Sequence, residues 1–336
     1  MGLLRCIRLN LWSKSRQRIM ECKSQNLQMV EDDVKRPENR VVKELSWEEV
    51  ERLTGNLSKV IDHGGFSTVY LGTCPSSSTA VAAFKIQNSS EKLDQIFKEE
   101  LNINLHIQHD SIVKLIGYCN GQARKALVFE YIPNGTLQEK LHGKVVDRGL
   151  NWKARMRIAF QLAQTIEYLH EKCGLSLVHH DLKPSNILLD DDFNFKLCDF
   201  GSAKHGSSSG GSLMYPSRKQ VMLGSPGYID PNYLKTGIAS KMNDIYSFGV
   251  LVLELMTGME ASALDKSLAG SASNDIPILT ELVDPVLCGN FELEEARAMV
   301  SVTVRCLHHE PSLRPSATEI IQIMKQRVPS VSLPGK

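Results

Sequence analysis

Residues 178–201 constrain this chain more than any other stretch. They read Val-His-His-Asp-Leu-Lys-Pro-Ser-Asn-Ile-Leu-Leu-Asp-Asp-Asp-Phe-Asn-Phe-Lys-Leu-Cys-Asp-Phe-Gly. The apolar trio Ile187, Leu188, Leu189 predicts one strand and Phe195, Lys196, Leu197 the next, with Asp191, Asp192, Phe193 and Asn194 turning between them. Such a hairpin brings Asn186 and Asp199 together at its open end, although they are far apart in the chain. Amide and carboxylate oxygens are ligands that Mg²⁺ prefers, usually beside phosphates. Asp181 is then free to orient a hydroxyl nucleophile and Lys183 to neutralise a transferring phosphoryl group.

Asp-x-Lys-x-x-Asn followed by Asp-Phe-Gly across an apolar hairpin resembles the catalytic loop and metal-binding segment of protein kinases. Other landmarks precede it in the order that this resemblance requires. Ser46-Trp-Glu-Glu49 is a capping box predicting a short helix through Leu53, ended by Gly55. Alternating runs at 58–62, 67–73 and 79–87 predict strands. The bend between the first two is Asp62-His63-Gly64-Gly65-Phe66-Ser67-Thr68-Val69. It resembles the kinase Gly-rich loop, Gly-x-Gly-x-x-Gly-x-Val, whose small residues let backbone N–H groups approach ATP phosphates. Gly64 keeps the middle glycine, while Asp62 and Ser67 replace the outer two.

Ala83 and Lys85 follow on the third of these strands, where a kinase lysine grips the α- and β-phosphates. A helix at about 91–107, with Leu93, Ile96, Phe97, Leu101 and Leu105 on its apolar face, carries the implied partner Glu100. Glu99 is the rival one position away and is read as solvent-facing. Asn104 stands where the family usually places a large apolar residue. Strands at 112–118 and 125–130 lead to a hinge, Phe129-Glu130-Tyr131-Ile132. The resemblance implies adenine bonded to backbone at Glu130 and Ile132, with Phe129 closing the rear of the pocket. The implied ATP-binding set is Asp62, His63, Gly64, Gly65, Phe66, Ser67, Val69, Ala83, Lys85, Glu100, Phe129, Glu130, Ile132 and Leu188.

After the hinge, Pro133-Asn-Gly135 is a turn, and a helix over 155–172 stacks Ile158, Leu162, Ile166 and Leu169 on one stripe. The serine- and glycine-rich segment 205–223 occupies the activation-loop position. Gly224-Ser-Pro-Gly-Tyr-Ile-Asp-Pro231 resembles the substrate-facing end of that loop. Asn232 replaces a family glutamate whose arginine partner is matched by Arg314, so the expectation is a hydrogen bond instead of an ion pair. Asp244 has two open readings, a brace for the catalytic-loop backbone and an N-cap for its own helix. Helices at about 292–307 and 315–326, the latter with Pro315 in its first turn, finish the pattern.

Leu45-Ser-Trp-Glu-Glu49 and Asn134-Gly-Thr-Leu137 narrow the resemblance to plant receptor-like kinases, related to animal interleukin-receptor-associated kinases. It covers about residues 44–327 and implies an α+β bilobal fold, a small antiparallel sheet lobe (about 44–133) over a mostly helical lobe (about 134–327). Residues 1–43 read as a basic tail and linker, and 328–336 as a C-terminal tail. The implied activity is ATP-dependent phosphoryl transfer to Ser/Thr hydroxyls of protein substrates, since Lys183 points away from Tyr as acceptor. Asp181 and Lys183 are the implied catalytic residues. Asn186 and Asp199 are the implied ligands of Mg²⁺, with Mn²⁺ as the alternative. His180 stands where regulated kinases carry arginine. A pseudokinase scaffold is the rival reading, motivated by Asp62, Ser67, Asn104 and Asn232.

Composition sets the outer bounds. A net charge of +1 gives no reason to expect nucleic acid as a partner. The 8 cysteines are scattered without metal-ligand spacing, which suggests a reducing, intracellular compartment, and the resemblance is to a cytoplasmic member of the family. No apolar run approaches the ~20 residues needed to span a bilayer. Arg5, Arg8, Lys14, Arg16 and Arg18 alternate with Leu3, Leu4, Ile7, Leu9, Leu11 and Trp12. With Gly2 and Cys6 they leave two readings: peripheral attachment to the plasma membrane beside a receptor kinase complex, or a disordered basic tail.

Overall fold

The computed structural model describes residues 42–65, 67–143, 150–205, 224–264 and 281–332. The first strands are β1 (Lys43–Glu44), β2 (Val60–His63), β3 (Thr68–Cys74), β4 (Ser77–Asn88), β5 (Leu115–Asn120) and β6 (Arg124–Glu130). They form one sheet in the order β1-β5-β6-β4-β3-β2. Every pairing is antiparallel except β1 with β5. The expected antiparallel sheet thus gains a sixth, parallel strand, because β5 would otherwise leave an open edge. Gly117 permits it, since a Cβ there would stand 3.0 Å from the Lys43 carbonyl oxygen. Strand β5 begins three residues later than expected, and Ile112 makes only an isolated bridge to Leu197.

Alternation along β4 decides which side chains face the large lobe. Ala82, Phe84 and Ile86 are buried on one face, under helix α1 (Trp47–Leu53) with its Val50 and Leu53. Both bonds of the α1 capping box form between Ser46 and Glu49. The opposite face receives Ala83 and Lys85. Helix α2 (Glu91–His106), N-capped by Ser90, packs through Phe97 against Leu115 and Leu127.

The large lobe continues with α3 (Leu137–His142) and α4 (Trp152–Glu167). Capped by Asn151, α4 starts three residues before the expected 155, and a π-helical turn, Tyr168–Lys172, carries the chain to β7 (Leu177–Val178). The hairpin β8 (Ile187–Leu189) and β9 (Phe195–Leu197) forms with the expected bounds, and β10 (Lys204–His205) pairs with β7. Helices α5 (Pro231–Thr236), α6 (Lys241–Thr257), α7 (Leu293–Cys306) and α8 (Ala317–Arg327) complete it. Ile158, Leu162 and Ile166 of α4 meet Phe248, Leu251 and Leu255 of α6 in one core. Ser316 caps α8 with Glu319, so Pro315 precedes the cap instead of lying in the first turn. Val328 and Val331 join that core, so packed chain runs past the expected end at 327. Among the described residues, no helix is long and apolar enough to cross a membrane.

Candidate active site

Lys85 on β4 points between the lobes and meets two carboxylates. Its Nζ donates to both oxygens of Glu100 at 2.7 and 2.9 Å and to Asp199 Oδ1 at 2.8 Å. Burial disfavours the ammonium, but Asp199 and Glu100 outweigh it and hold Lys85 well above the ordinary lysine range. The Lys85 charge holds Asp199 well below the usual carboxylate range. Burial pushes Glu100 upward, and the Lys85 ammonium works against that. Asp199 takes a left-handed backbone, φ 61°, at the turn where β9 ends. Phe200 behind it is buried against His179 with ring centroids 4.9 Å apart.

The loop between β7 and β8 carries the second cluster. Asp181 Oδ2 accepts from Asn186 Nδ2 at 3.1 Å and lies 2.8 Å from Lys183 Nζ. Asn186 Nδ2 also donates to the Asp181 carbonyl at 2.8 Å. Its amide nitrogen is therefore committed to the loop, which leaves the amide oxygen as the donor for a cation. Asp199 binds Lys85 through Oδ1. An amide oxygen and a carboxylate are the hard donors that suit Mg²⁺, so the residues fit that ion. Among the described residues no group of three or more His, Cys, Asp and Glu is placed to hold a metal. A cation here would take its remaining oxygens from phosphate and water.

Ser225 joins this cluster although the sequence reading did not single it out. Its hydroxyl accepts from Lys183 Nζ at 2.7 Å and donates to Asp181 Oδ1 at 2.7 Å. Gly224 makes the approach: its φ is +116°, and a Cβ would sit 2.9 Å from the His180 carbonyl oxygen. The available signal was a hydroxyl directly after a glycine in the substrate-facing segment.

Asp244 braces the loop from α6. Its Oδ2 accepts from the His179 amide at 2.8 Å and His170 Nε2 at 2.9 Å, and its Oδ1 from the His180 amide at 2.9 Å. Ser240 is the N-cap of α6, so of the two readings the brace holds. His180 has φ 67°, and its buried Nε2 has no hydrogen-bond partner among the described residues. Burial pushes its pKa down, which favours the neutral ring.

The nucleotide loop is exposed from Asp62 through Gly65, and Phe66 lies outside the described residues. Asp62 pairs with Val69 in register, while Gly64 N donates to the Ser67 carbonyl at 2.8 Å. The Asp62 carboxylate accepts from the His63 amide at 2.8 Å. Ala83 stands opposite Phe129, and Val69 opposite Lys85. Ile132 is buried, Leu188 is half-buried opposite Lys196, and the Glu130 carboxylate bonds Lys196 Nζ at 3.1 Å. The Glu130 amide is committed to the Lys114 carbonyl at 2.9 Å. Asn104 lies buried beneath Glu100 and donates to its carbonyl at 2.8 Å.

Two expectations are corrected. Arg314 does not turn to Asn232: it forms a buried ion pair with Asp230, at 2.6 and 2.9 Å. Asp230, two residues earlier, caps α5 and so already points into the lobe. Glu99 is not a plain solvent-facing side chain either, since it pairs with Lys204.

The protein kinase domain model matches residues 56–324 of this chain. The chain belongs to the protein kinase family. This kinase is 43% identical to a probable receptor-like protein kinase of Arabidopsis thaliana, over 86% of this chain and 90% of that protein. It is 43% identical to the salt tolerance receptor-like cytoplasmic kinase 1 of Oryza sativa subsp. japonica, over 86% of this chain and 82% of that protein. A probable LRR receptor-like serine/threonine-protein kinase of Arabidopsis thaliana is 35% identical over 86% of this chain, which spans 33% of that relative. The kinase is an ATP-dependent phosphoryl-transfer enzyme with the bilobal α+β fold of its family.

Proposed function

We propose that this kinase transfers the γ-phosphoryl group of ATP to Ser/Thr hydroxyls of proteins, using the two clusters just described. The observation that carries the reading is Lys85 bonded at once to Glu100 and Asp199. Asp181 orients the acceptor hydroxyl, with Ser225 and Asn186 fixing its two oxygens. Lys183 lies beside Asp181, where it meets charge developing on the transferred group. Lys85, clamped by Glu100, positions the α- and β-phosphates. The backbone of 62–67, with Val69, Ala83, Phe129, Glu130, Ile132 and Leu188, encloses the nucleotide. Asn186 and Asp199 would hold Mg²⁺, or Mn²⁺ in its place, which supplies charge neutralisation at the phosphates. Catalysis of this kind is positioning plus electrostatics. The assembled Lys85 cluster argues for turnover and against a pseudokinase scaffold.

The proposed catalytic domain is 44–327, preceded by the basic segment 1–43, and of the tail 328–336 Val328 and Val331 pack on its core. The kinase is of the type without arginine before the catalytic aspartate. His180 stands there instead, and a neutral ring gives a loop phosphate little to bind. The receptor-like names of the relatives support work in the plant cytoplasm beside a membrane receptor kinase. Peripheral attachment through Gly2, Cys6 and the basic run belongs to the same reading, on residues outside those described.

Transfer of radiolabelled phosphate from ATP with Mg²⁺ tests the mechanism. Lys85→Met, Asp181→Asn and Asp199→Asn should each lower transfer by roughly two orders of magnitude or more, with melting temperatures near that of the parent. Unchanged turnover in Lys85→Met and Asp199→Asn together would remove the mechanism.

A further inference from the structure

Glu99 and Glu100 are adjacent on α2 but serve different partners. Successive helix positions diverge by about 100°, so the two carboxylates leave the helix in separate directions. Glu100 turns inward to Lys85. Glu99 meets Lys204 of β10, and Gln95 Nε2, one turn earlier, donates to it at 3.0 Å. We infer that the Glu99–Lys204 ion pair is a second clamp that positions α2 for phosphoryl transfer, keeping Glu100 against Lys85. This inference rests on the role proposed above for Lys85 and Glu100.

Phe97 seats α2 on the sheet and Ile103 on the large-lobe core, and Glu100 gives the helix one polar tie, to Lys85. Lys204 supplies a second tie, and it is itself anchored. Strand β10 pairs with β7, Lys204 opposite Val178 and His205 opposite Leu177, directly before His179 and Asp181. The ion pair therefore links α2 to the base of the catalytic loop without passing through Lys85. Between the two clamps, the turn after Asp199 lies against the same helix face. A Cβ on Gly201 would come 3.4 Å from Glu100 Oε2 and 3.8 Å from Ile96 Cγ2. Hydrogen bonds from Lys204 and Gln95 outweigh the burial that opposes ionisation at Glu99, so the carboxylate is charged at neutral pH.

Both side chains are about two-fifths exposed, 43% for Lys204 and 39% for Glu99. An ion pair so exposed adds little to global stability. It can still bias a helix between two positions, and only one of those holds Glu100 on Lys85.

The test uses the full chain and a synthetic serine/threonine peptide pool, with kcat and the KM for ATP measured separately. Glu99→Gln and Lys204→Met should each lower kcat by roughly three- to fivefold, the scale of a partly exposed ion pair. The double variant should fall no further than either single one. The exchanged pair, Glu99→Lys with Lys204→Glu, should recover most of the loss. Melting temperatures should stay near the parent value, which separates positioning from a merely structural role. Unchanged kcat in the single variants, additive losses in the double, a fall in melting temperature without a fall in kcat, or no recovery in the exchanged pair would each overturn the clamp. Lys85→Met in the same series separates the two readings. If it loses turnover while Glu99→Gln does not, the clamp alone fails, and if it keeps turnover the underlying mechanism fails first.

Discussion

Asp62 brings a negative charge to the strand end that borders the nucleotide loop, where the family carries glycine. Its carboxylate is among the charges acting on the Cys198 thiol, next to Asp199, so its field reaches the cleft. Two unit charges ~6 Å apart at an effective dielectric of about 40–80 repel by about 1 kcal/mol. Asp62→Gly should therefore lower the KM for ATP several-fold, and Asp62→Asn should recover much of that gain. Equal KM values in all three proteins would mean that the carboxylate does not feel the phosphates. His180 makes a prediction about pH. Burial outweighs the neighbouring Asp244 carboxylate and depresses its pKa below the ordinary 6.5. The unfolded chain then binds this proton more readily than the fold does. Stability contributed by the neutral ring is complete above about pH 6.5 and declines as pH falls toward the folded value. His180→Gln should flatten the dependence of the urea midpoint between pH 7.5 and 5, leaving a residual slope from His109, which burial also depresses. Identical slopes would refute the assignment. Residues whose chemistry sits inside a short motif, such as Asp181, Asn186 and Asp199, were identifiable as candidates in the sequence. Ser225 was not, because its meaning depends on a turn that only the folded loop supplies.

Helix α5 is short, and it holds to the large lobe through the buried Tyr233 and through an ion pair. Asp230 caps it, accepts from Asn243 Nδ2 at 3.0 Å and pairs with an Arg314 that is almost fully enclosed. Removing one partner of a buried pair strands the other charge, at a cost of about 3–5 kcal/mol. Asp230→Ala should destabilise the kinase on that scale in urea unfolding. Asn232→Ala, outside the ion pair, should stay within about 0.5 kcal/mol. The reverse ranking would restore Asn232 as the partner of Arg314. The substitution of Asn for the family glutamate predicts a hydrogen bond in place of the ion pair, yet the fold draws its carboxylate from two positions earlier. Elements defined by local signals were readable in advance: the β8–β9 hairpin from its turn, α1 from its capping box, α2 from its apolar stripe. Elements defined by tertiary pairing were not. Strand β1 exists only because the edge of β5 accepts it, and β10 only because β7 lies beside it. The role of Glu99 was hidden for the same reason, since its partner lies more than a hundred residues along the chain.

Across the whole molecule, one core lies under the sheet and a larger one among α4, α6, α7 and α8, which Ile103 of α2 joins from the small lobe. The proposed catalytic groups come from both lobes. Lys85 and Glu100 belong to the small lobe, while Asp181, Asn186 and Asp199 rise from the large one. The order of these landmarks made the fold legible, and their distances did not follow from order alone. The Asp244 brace has a consequence for how the enzyme opens. The amide hydrogens of His179 and His180 end on a carboxylate that is completely enclosed, on a helix buried almost throughout. No small fluctuation can hand those protons to solvent, because α6 must leave the core first. In deuterium exchange they should therefore be among the slowest in the chain, with an opening free energy equal to that of the large lobe as a whole. Rapid exchange at either amide in an otherwise protected lobe would show that the loop breathes by itself. The amides of 62–65, at the exposed loop, should exchange early. Such rates would set a slow, jointly opening half opposite a fast loop able to admit and release nucleotide without disturbing the proposed catalytic carboxylate.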